Sequence, residues 1–143
     1  MILGADELRI LLKEDGFLRN LDIEVIEASQ GRMEVSVPFD DKIMRMGGIV
    51  NGGAIMSLCD LVGGLCIMTR DPEVMNQVTV DMQVNFLKAI SNGPVRAVGK
   101  SVKIGKTIAY SEMIIYDGQG NECARGSGNW YLYRGEGNWT NSR

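Results

Sequence analysis

The stretch that decides the fold is residues 51–68, with the sequence NGGAIMSLCDLVGGLCIM. Between positions 49 and 69 the only side chain that is charged at neutral pH is Asp60. The segment is apolar on every side, which predicts a long helix that is buried all round. An isolated buried charge is costly, so an acid in such a helix is expected to be paired, protonated or used in chemistry.

The start of this segment is the second informative feature. Asn51 is a favourable residue for the N-cap of the helix, and plain capping is the leading interpretation of its role. Gly52 and Gly53 follow, and without side chains they let a ligand approach the backbone N–H groups closely. The helix dipole favours negative charge at the same place. A carboxylate together with a glycine-lined helix start predicts a site that attacks a carbonyl group.

Composition excludes several other classes of function. The chain has 143 residues, which suits one compact domain, and its net charge of -3 gives no reason to expect nucleic acid as a partner. It contains no histidine, which removes the commonest general base, the Ser/His and Cys/His pairs and most zinc sites. We therefore expect neither a metal nor a separate cofactor.

Three cysteines, Cys59, Cys66 and Cys123, are too few for a disulfide framework and are interpreted as small core residues. This cysteine usage and the lack of a signal peptide favour a reduced, cytoplasmic location. The apolar run raises the question of a membrane span. A bilayer would leave Asp60 unpaired at mid-depth, so no membrane association is expected.

The order of predicted elements indicates an α+β fold. Alternation and turn residues predict a helix over 5–14, a hairpin formed by 21–28 and 33–37, a loop over 40–48, the long helix, and strands at 77–87, 95–103, 107–117 and 121–133. An antiparallel sheet has one core face, whereas the helix is apolar all round. We expect a strongly curved sheet on one side of the helix and a second copy of the chain on the other. Residues 1–134 are predicted to form one domain, followed by a polar tail at 135–143.

Three blocks of sequence resemble the hotdog-fold thioesterases, in particular the phenylacetate-degradation (PaaI-like) acyl-CoA thioesterases. The most specific block is Gly48-Ile49-Val50-Asn51-Gly52-Gly53 followed by Leu58-Cys59-Asp60, and the others are residues 78–88 and 103–110. The resemblance covers about residues 17–133. It implies a curved antiparallel sheet wrapped around one long central helix. It also implies a homodimer or a dimer of dimers, with the active site shared between subunits.

The resemblance implies metal-independent hydrolysis of an acyl-CoA thioester, with coenzyme A entering only as part of the substrate. Asp60 matches the general base or nucleophile, Gly52 matches the residue whose N–H polarises the carbonyl, and Thr79 matches a residue that places water. Asn51, whose side chain borders the same helix start as well as capping it, is the fourth catalytic candidate. The remaining candidate residues, all assigned to substrate binding, are Gly53, Arg45, Asp81, Phe86, Lys88, Lys103, Gly105 and Lys106.

Two positions depart from the family pattern. Asn51 stands where the family has histidine, and Arg45 stands where close relatives have asparagine. These departures keep open an alternative, a non-catalytic acyl-CoA-binding protein of the same fold. A hydratase is disfavoured because its Asp/His pair is absent, and a purely structural oligomer leaves Asp60 unexplained. The simpler alternatives also remain: Thr79 as an ordinary strand residue, the lysines as solvated surface, and Asp60 as a buried acid paired with a cation.

Spacing along the helix indicates a site built from two chains. Residues 52 and 60 are eight apart and lie on nearly one helical face, separated by roughly 12 Å along the axis. Asp60 therefore cannot reach a carbonyl held by Gly52 of its own chain. An antiparallel partner helix would bring the two groups together.

Overall fold

The computed structural model describes residues 2–135. It contains helices α1 (Ala5–Glu14) and α2 (Gly52–Met68) and short 3-10 turns at Leu18–Leu21 and Asp41–Ile43. The strands are β1 (Glu24–Ser29), β2 (Arg32–Val37), β3 (Met44–Arg45), β4 (Ile49–Val50), β5 (Val74–Phe86), β6 (Val95–Ile104), β7 (Ile108–Tyr116) and β8 (Glu122–Arg134). The predicted first helix, the hairpin, the long helix and the four later strands are all confirmed.

Six of the strands form one antiparallel sheet in the order β1-β2-β6-β7-β8-β5. The β1–β2 hairpin turns at Gln30 and Gly31, both of which have positive φ, as a tight two-residue connection requires. β5 pairs with β8 along one side and forms an edge of the sheet on the other. This edge strand is 13 residues long.

Helix α2 packs against five of the six strands, namely β2, β5, β6, β7 and β8. The close approach of α2 to the sheet depends on glycine residues in both elements. A Cβ on Gly63 would lie 2.5 Å from Cη2 of Trp130, and a Cβ on Gly99 of β6 would lie 2.2 Å from the carbonyl oxygen of Val62. Trp130 is fully buried at this contact. The absence of side chains at Gly63 and Gly99 lets the helix settle onto the sheet.

Burial differs between the two halves of α2. Every residue of 61–68 is buried, whereas the first half buries Ile55, Leu58 and Cys59 and leaves Gly53 and Asp60 exposed. The single chain therefore leaves one side of the helix and Asp60 exposed, and the expected cover by a second copy of the chain stays a prediction. The physical reason for the exposure is that the sheet covers only one side of the first two turns.

The segment between β2 and α2 was predicted as a loop, but it contains the 3-10 turn Asp41–Ile43 and the separate β3–β4 hairpin. Both pieces are too short to give a periodic signal. The predicted polar tail lies, apart from Gly135, outside the described residues. None of the helices in the described range has the length and apolarity that a bilayer-spanning helix requires.

Candidate active site

The N-terminus of α2 presents one uncommitted backbone donor. Asn51 is the N-cap, and its Oδ1 accepts hydrogen bonds from the N–H groups of Gly53 at 2.7 Å and Ala54 at 3.3 Å. The capping prediction is confirmed. The N–H of Gly52 has no acceptor within residues 2–135. Gly52 is therefore the residue that can offer a hydrogen bond to a ligand, while the N–H of Gly53 is already used.

The chain around this helix start is held in place by the β3–β4 hairpin. The N–H of Asn51 donates to the carbonyl of Ile43 at 2.7 Å, and the N–H of Val50 donates to the carbonyl of Ile90 at 3.0 Å. Arg45 pairs with Ile49 across the hairpin. These bonds fix Arg45 and the segment that ends at Ile90 beside the first turn of α2.

A pocket of about 340 Å³ opens at this position. It brings together four of the predicted site residues, Arg45, Gly52, Phe86 and Lys88. A Cβ placed on Gly52 would lie 3.7 Å from Cε1 of Phe86, so the aromatic ring is in contact range of the helix start. The other lining residues, which were not among the candidate site residues, are Ile49, Val50, Ile55, Leu87, Ala89 and Ile90.

Asp60 lies on the uncovered side of α2, and Thr79 of β5 donates a hydrogen bond from its Oγ1 to Oδ1 of Asp60. The structure thus joins two of the candidate catalytic residues by a hydrogen bond. Asp60 is exposed and forms no salt bridge within the described part of the chain. The single chain therefore supplies no cation for the alternative in which Asp60 is a buried, paired acid.

One chain does not bring Asp60 and Gly52 to the same place. Both lie in the single helix α2, two turns apart, which separates them by roughly 12 Å along its axis. The residues that line the Gly52 pocket include neither Asp60 nor Thr79. In one chain the donor at the helix start and the carboxylate in the middle of the helix therefore lie at two separate places.

A second pocket, of about 310 Å³, lies at the β6–β7 turn and contains Lys103, Gly105 and Lys106. Tyr110 and Asn129, which are cross-strand partners, also line it. Nδ2 of Asn129 donates to Oδ1 of the predicted residue Asp81 at 2.9 Å. The pairing of Tyr110 with Asn129 depends on strand register, which the sequence alone does not reveal.

Arg134, another residue that was not among the candidate site residues, stabilises the β6–β7 turn through hydrogen bonds to its backbone. Its guanidinium donates to the carbonyls of Lys106 at 2.8 Å and Gly105 at 2.9 Å and pairs with Asp71 at 2.9 Å. Partial burial acts to raise the pKa of Asp71, but the hydrogen bond and charge of Arg134, with the N–H of Glu73, lower it below its ordinary value. Arg134 thus fixes the backbone that carries both lysines.

The cysteines do not supply a nucleophile. All three are buried and none is in a disulfide. Burial, helped by the charge of Asp60, raises the pKa of Cys59 to about 12, and burial raises the pKa of Cys66 to about 12. These thiols stay protonated at neutral pH. Within residues 2–135 no group of three or more potential metal ligands was found.

The sequence profile that represents the thioesterase superfamily matches residues 47–124 of this chain, which is more than half of its length. This chain belongs to the thioesterase superfamily. The matched residues include the helix start, Asp60 and Thr79. The hotdog fold and the thioesterase assignment expected from the sequence are confirmed, and the class of reaction is thioester hydrolysis.

Individual relatives agree with this assignment. A protein of Thermoplasma acidophilum that carries an esterase name is 43% identical over 130 residues, covering 91% of this chain and 98% of the relative. Among solved structures, a thioesterase from Haemophilus influenzae superposes with a TM-score of 0.85 at 20% identity, covering 94% of this chain and 93% of that one. The PaaI protein of the Escherichia coli phenylacetic acid degradation operon superposes with a TM-score of 0.80 at 17% identity, covering 91% and 93%. At these identities the two solved structures support the fold.

Proposed function

We propose that this thioesterase hydrolyses acyl-CoA thioesters, without a metal, in a site formed by two copies of the chain. The observation that carries the proposal is the pair of half-sites on α2. Gly52 offers an unused N–H at the helix start, and Asp60 offers an exposed carboxylate that Thr79 orients. Each half-site lacks what the other supplies.

The first step of the proposed reaction is polarisation of the thioester carbonyl by the N–H of Gly52. Attack on the carbonyl develops negative charge on its oxygen, and one preorganised donor stabilises that charge by about 3–4 kcal/mol in known acyl-transfer sites. The dipole of α2 acts in the same direction. Phe86, beside Gly52, helps to keep water away from the donor.

Asp60 of the partner chain supplies the attacking oxygen. As a general base it takes a proton from water while the water oxygen bonds to the carbonyl carbon. As a nucleophile its own oxygen forms that bond, and water then cleaves the resulting anhydride. In the general-base route the C–S bond then breaks, and the proton held by Asp60 passes to the departing thiolate of coenzyme A. In the nucleophile route the C–S bond breaks as the anhydride forms, and the thiolate takes its proton from the water that cleaves the anhydride. The hydrogen bond from Thr79 holds the carboxylate in position for either route.

The proposed partner surface is the edge of β5 together with the uncovered side of α2. An unpaired edge strand offers backbone donors and acceptors to a second strand, and Val78, Val80 and Phe86 of β5 are all exposed. Pairing of two β5 strands around a two-fold axis would place the two α2 helices antiparallel. That arrangement brings each Asp60 toward the partner's Gly52.

The pocket that contains Lys103, Gly105 and Lys106 is the proposed position of the coenzyme A phosphates. Two ammonium groups lie there with the phenol ring of Tyr110, which suits an adenine nucleotide phosphate. Arg134 holds the turn in place. The roles of Asp81 and Asn129 in this proposal are to fix the strand surface beside the lysines.

The proposal is tested with a panel of acyl-CoAs and a thiol-trapping dye. We expect saturable thiol release from the wild-type protein and a drop in kcat of at least about 100-fold in Asp60→Asn, because the variant keeps the shape of the side chain but loses its basicity. Glu112→Gln, an exposed acid on β7, is the control and should behave as wild type. Saturable binding without thiol release would contradict the proposal and support the non-catalytic alternative.

A further inference from the structure

We propose that the acyl group of the substrate carries a carboxylate at its far end, and that Arg45, assisted by Lys88, binds this carboxylate in the Gly52 pocket. The inference rests on the proposed function and names the substrate class of that same site. It would make this chain a hydrolase of short ω-carboxyacyl thioesters.

The walls of the pocket suit a short hydrocarbon chain. Between Gly52 and the two cations, its lining is almost entirely apolar, with the side chains of Ile49, Val50, Ile55, Phe86, Leu87, Ala89 and Ile90. Its volume of about 340 Å³ lies at the small end of the range for ligand pockets. A thioester whose carbonyl oxygen binds Gly52 can therefore extend a short acyl chain along this apolar wall.

The charges of the pocket are all of one sign. Its ten lining residues include Arg45 and Lys88 and no acidic residue. Within residues 2–135 Arg45 forms no hydrogen bond or ion pair from its side chain. Arg45 is exposed in the single chain, so its guanidinium can form a bidentate pair with an added carboxylate.

Lys88 differs from Arg45 because it has an anionic neighbour. Its charge contributes to lowering the pKa of Asp117. That carboxylate is already hydrogen bonded by the N–H groups of Gln119 and Asn121 and by the side chain of Asn121. Lys88 is therefore assigned the smaller share of carboxylate binding, and Arg45 the larger.

The backbone of Arg45 is also held at a fixed place relative to Gly52. It lies in β3, paired with Ile49, and the hydrogen bond from Asn51 to Ile43 ties the base of this hairpin to the helix start. A cation on a rigid hairpin can select acyl groups by length as well as by charge. The phosphates of coenzyme A have a separate candidate position, since the pocket of Lys103 and Lys106 shares no lining residue with this one.

The test compares adipoyl-CoA with hexanoyl-CoA, which have the same six-carbon chain and the same coenzyme A and differ in the terminal carboxylate. For the wild type we expect kcat/KM to be about ten-fold higher with adipoyl-CoA, the size expected for one hydrogen bond to a charged group. Arg45→Gln should bring the ratio of the two kcat/KM values close to one. Lys88→Gln should lower this ratio less, and Lys100→Gln, an exposed control on β6, should leave it as in wild type.

The other outcomes each have a defined meaning. A wild-type ratio near one, with both substrates hydrolysed, overturns this inference and leaves the proposed function intact. An equal loss for both substrates in Arg45→Gln also overturns it, because the arginine would then bind a phosphate of coenzyme A. If neither substrate releases thiol, the panel of acyl-CoAs described above decides the proposed function. Calorimetry of the two ligands with the wild-type protein then decides the inference, since equal affinities overturn it and tighter binding of adipoyl-CoA supports it.

Discussion

The two halves of α2 have a similar apolar composition and very different surroundings. Residues 61–68 are buried on all sides, with Gly63 and Gly64 pressed against Trp130. The first half buries one side and leaves the other, which carries Gly53 and Asp60, open to solvent. Both halves are apolar, yet only the second has its covering within the same chain.

The difference separates two uses of glycine and of apolar surface. In the second half, Gly63 and Gly64 exist so that the sheet can approach, and any side chain there would meet Trp130 or Gln77. In the first half, Gly52 leaves a backbone donor accessible. We interpret the second half as the structural anchor of the helix and the first half as its chemical part.

The largest expected effect is on activity in the first half. Gly52→Pro removes the N–H that we assign to the carbonyl, and proline is well tolerated at the first position of a helix. Asn51 already has the extended backbone, with ψ of 134°, that a following proline requires. We expect kcat to fall by about 100- to 1,000-fold in the thiol-release assay.

The matched variant for this position is Gly52→Ala, which keeps the N–H. Its Cβ would lie 3.7 Å from the ring of Phe86, an ordinary contact. It should retain kcat within a few-fold of wild type. Equal losses in the proline and alanine variants would show that the space at Gly52, and not its donor, is what matters.

The second effect is on stability, in the second half. Gly63→Ala would place a Cβ 2.5 Å from Cη2 of Trp130 and 2.9 Å from Sδ of Met113, so the core must shift. We expect a loss of about 1–3 kcal/mol in the free energy of unfolding, measured by urea denaturation. Gly52→Ala should change this quantity by no more than about 0.5 kcal/mol. A Gly63→Ala protein as stable as wild type would remove the distinction between the halves.

A smaller effect is expected at the hydrogen bond that orients Asp60. Thr79→Val keeps the shape of the side chain but removes the hydroxyl that donates to the carboxylate. We expect kcat to fall by about ten-fold, with little change in KM, because the bond positions the acid and does not hold the substrate. Thr79→Ser should restore kcat. A change confined to KM would assign Thr79 to substrate binding instead.

The smallest expected effect is a pH dependence of the stability of the protein that arises from Asp117, a neighbour of the pocket residue Lys88. The hydrogen bond from the Asn121 side chain is the main reason that the pKa of Asp117 is lowered from 3.8 to about 2. A carboxyl whose pKa is lower in the folded state stabilises the fold above its unfolded pKa and loses this contribution as the pH falls through its folded pKa. Between pH 4 and pH 2 the Tm of the wild type should therefore fall more steeply than that of Asp117→Asn. Parallel curves would show that Asp117 contributes nothing, and Glu14→Gln, an exposed control, should follow the wild type.

Much of the fold could be predicted from the sequence, because periodicity and turn residues are local signals. The helix Ala5–Glu14 and the hairpin across Gln30 and Gly31 are examples. The exposed side of α2 could not be predicted in the same way. Apolar residues predict that a surface is buried, but they do not indicate whether it is buried by the same chain or by another.

The candidate site divides along the same line. Asp60, Thr79 and Gly52 could be named from the sequence because they belong to a recognisable block. Arg134 and Asn129 could not be named, because their contacts depend on which strands are neighbours and in what register. The spacing in the sequence predicted that Gly52 and Asp60 are separated along a helix. The structure confirms this separation, because α2 is continuous from Gly52 to Met68.

The central claim is that each active site takes its acid from one chain and its N–H donor from another, and subunit mixing tests it directly. Asp60→Asn and Gly52→Pro proteins, each inactive alone, are mixed under conditions that allow subunit exchange and assayed for thiol release. In a mixed dimer one of the two sites contains an intact Asp60 and an intact Gly52, so random exchange should restore about a quarter of wild-type activity. If exchange is demonstrated and activity stays at the level of the separate variants, the site lies within one chain and the account is wrong.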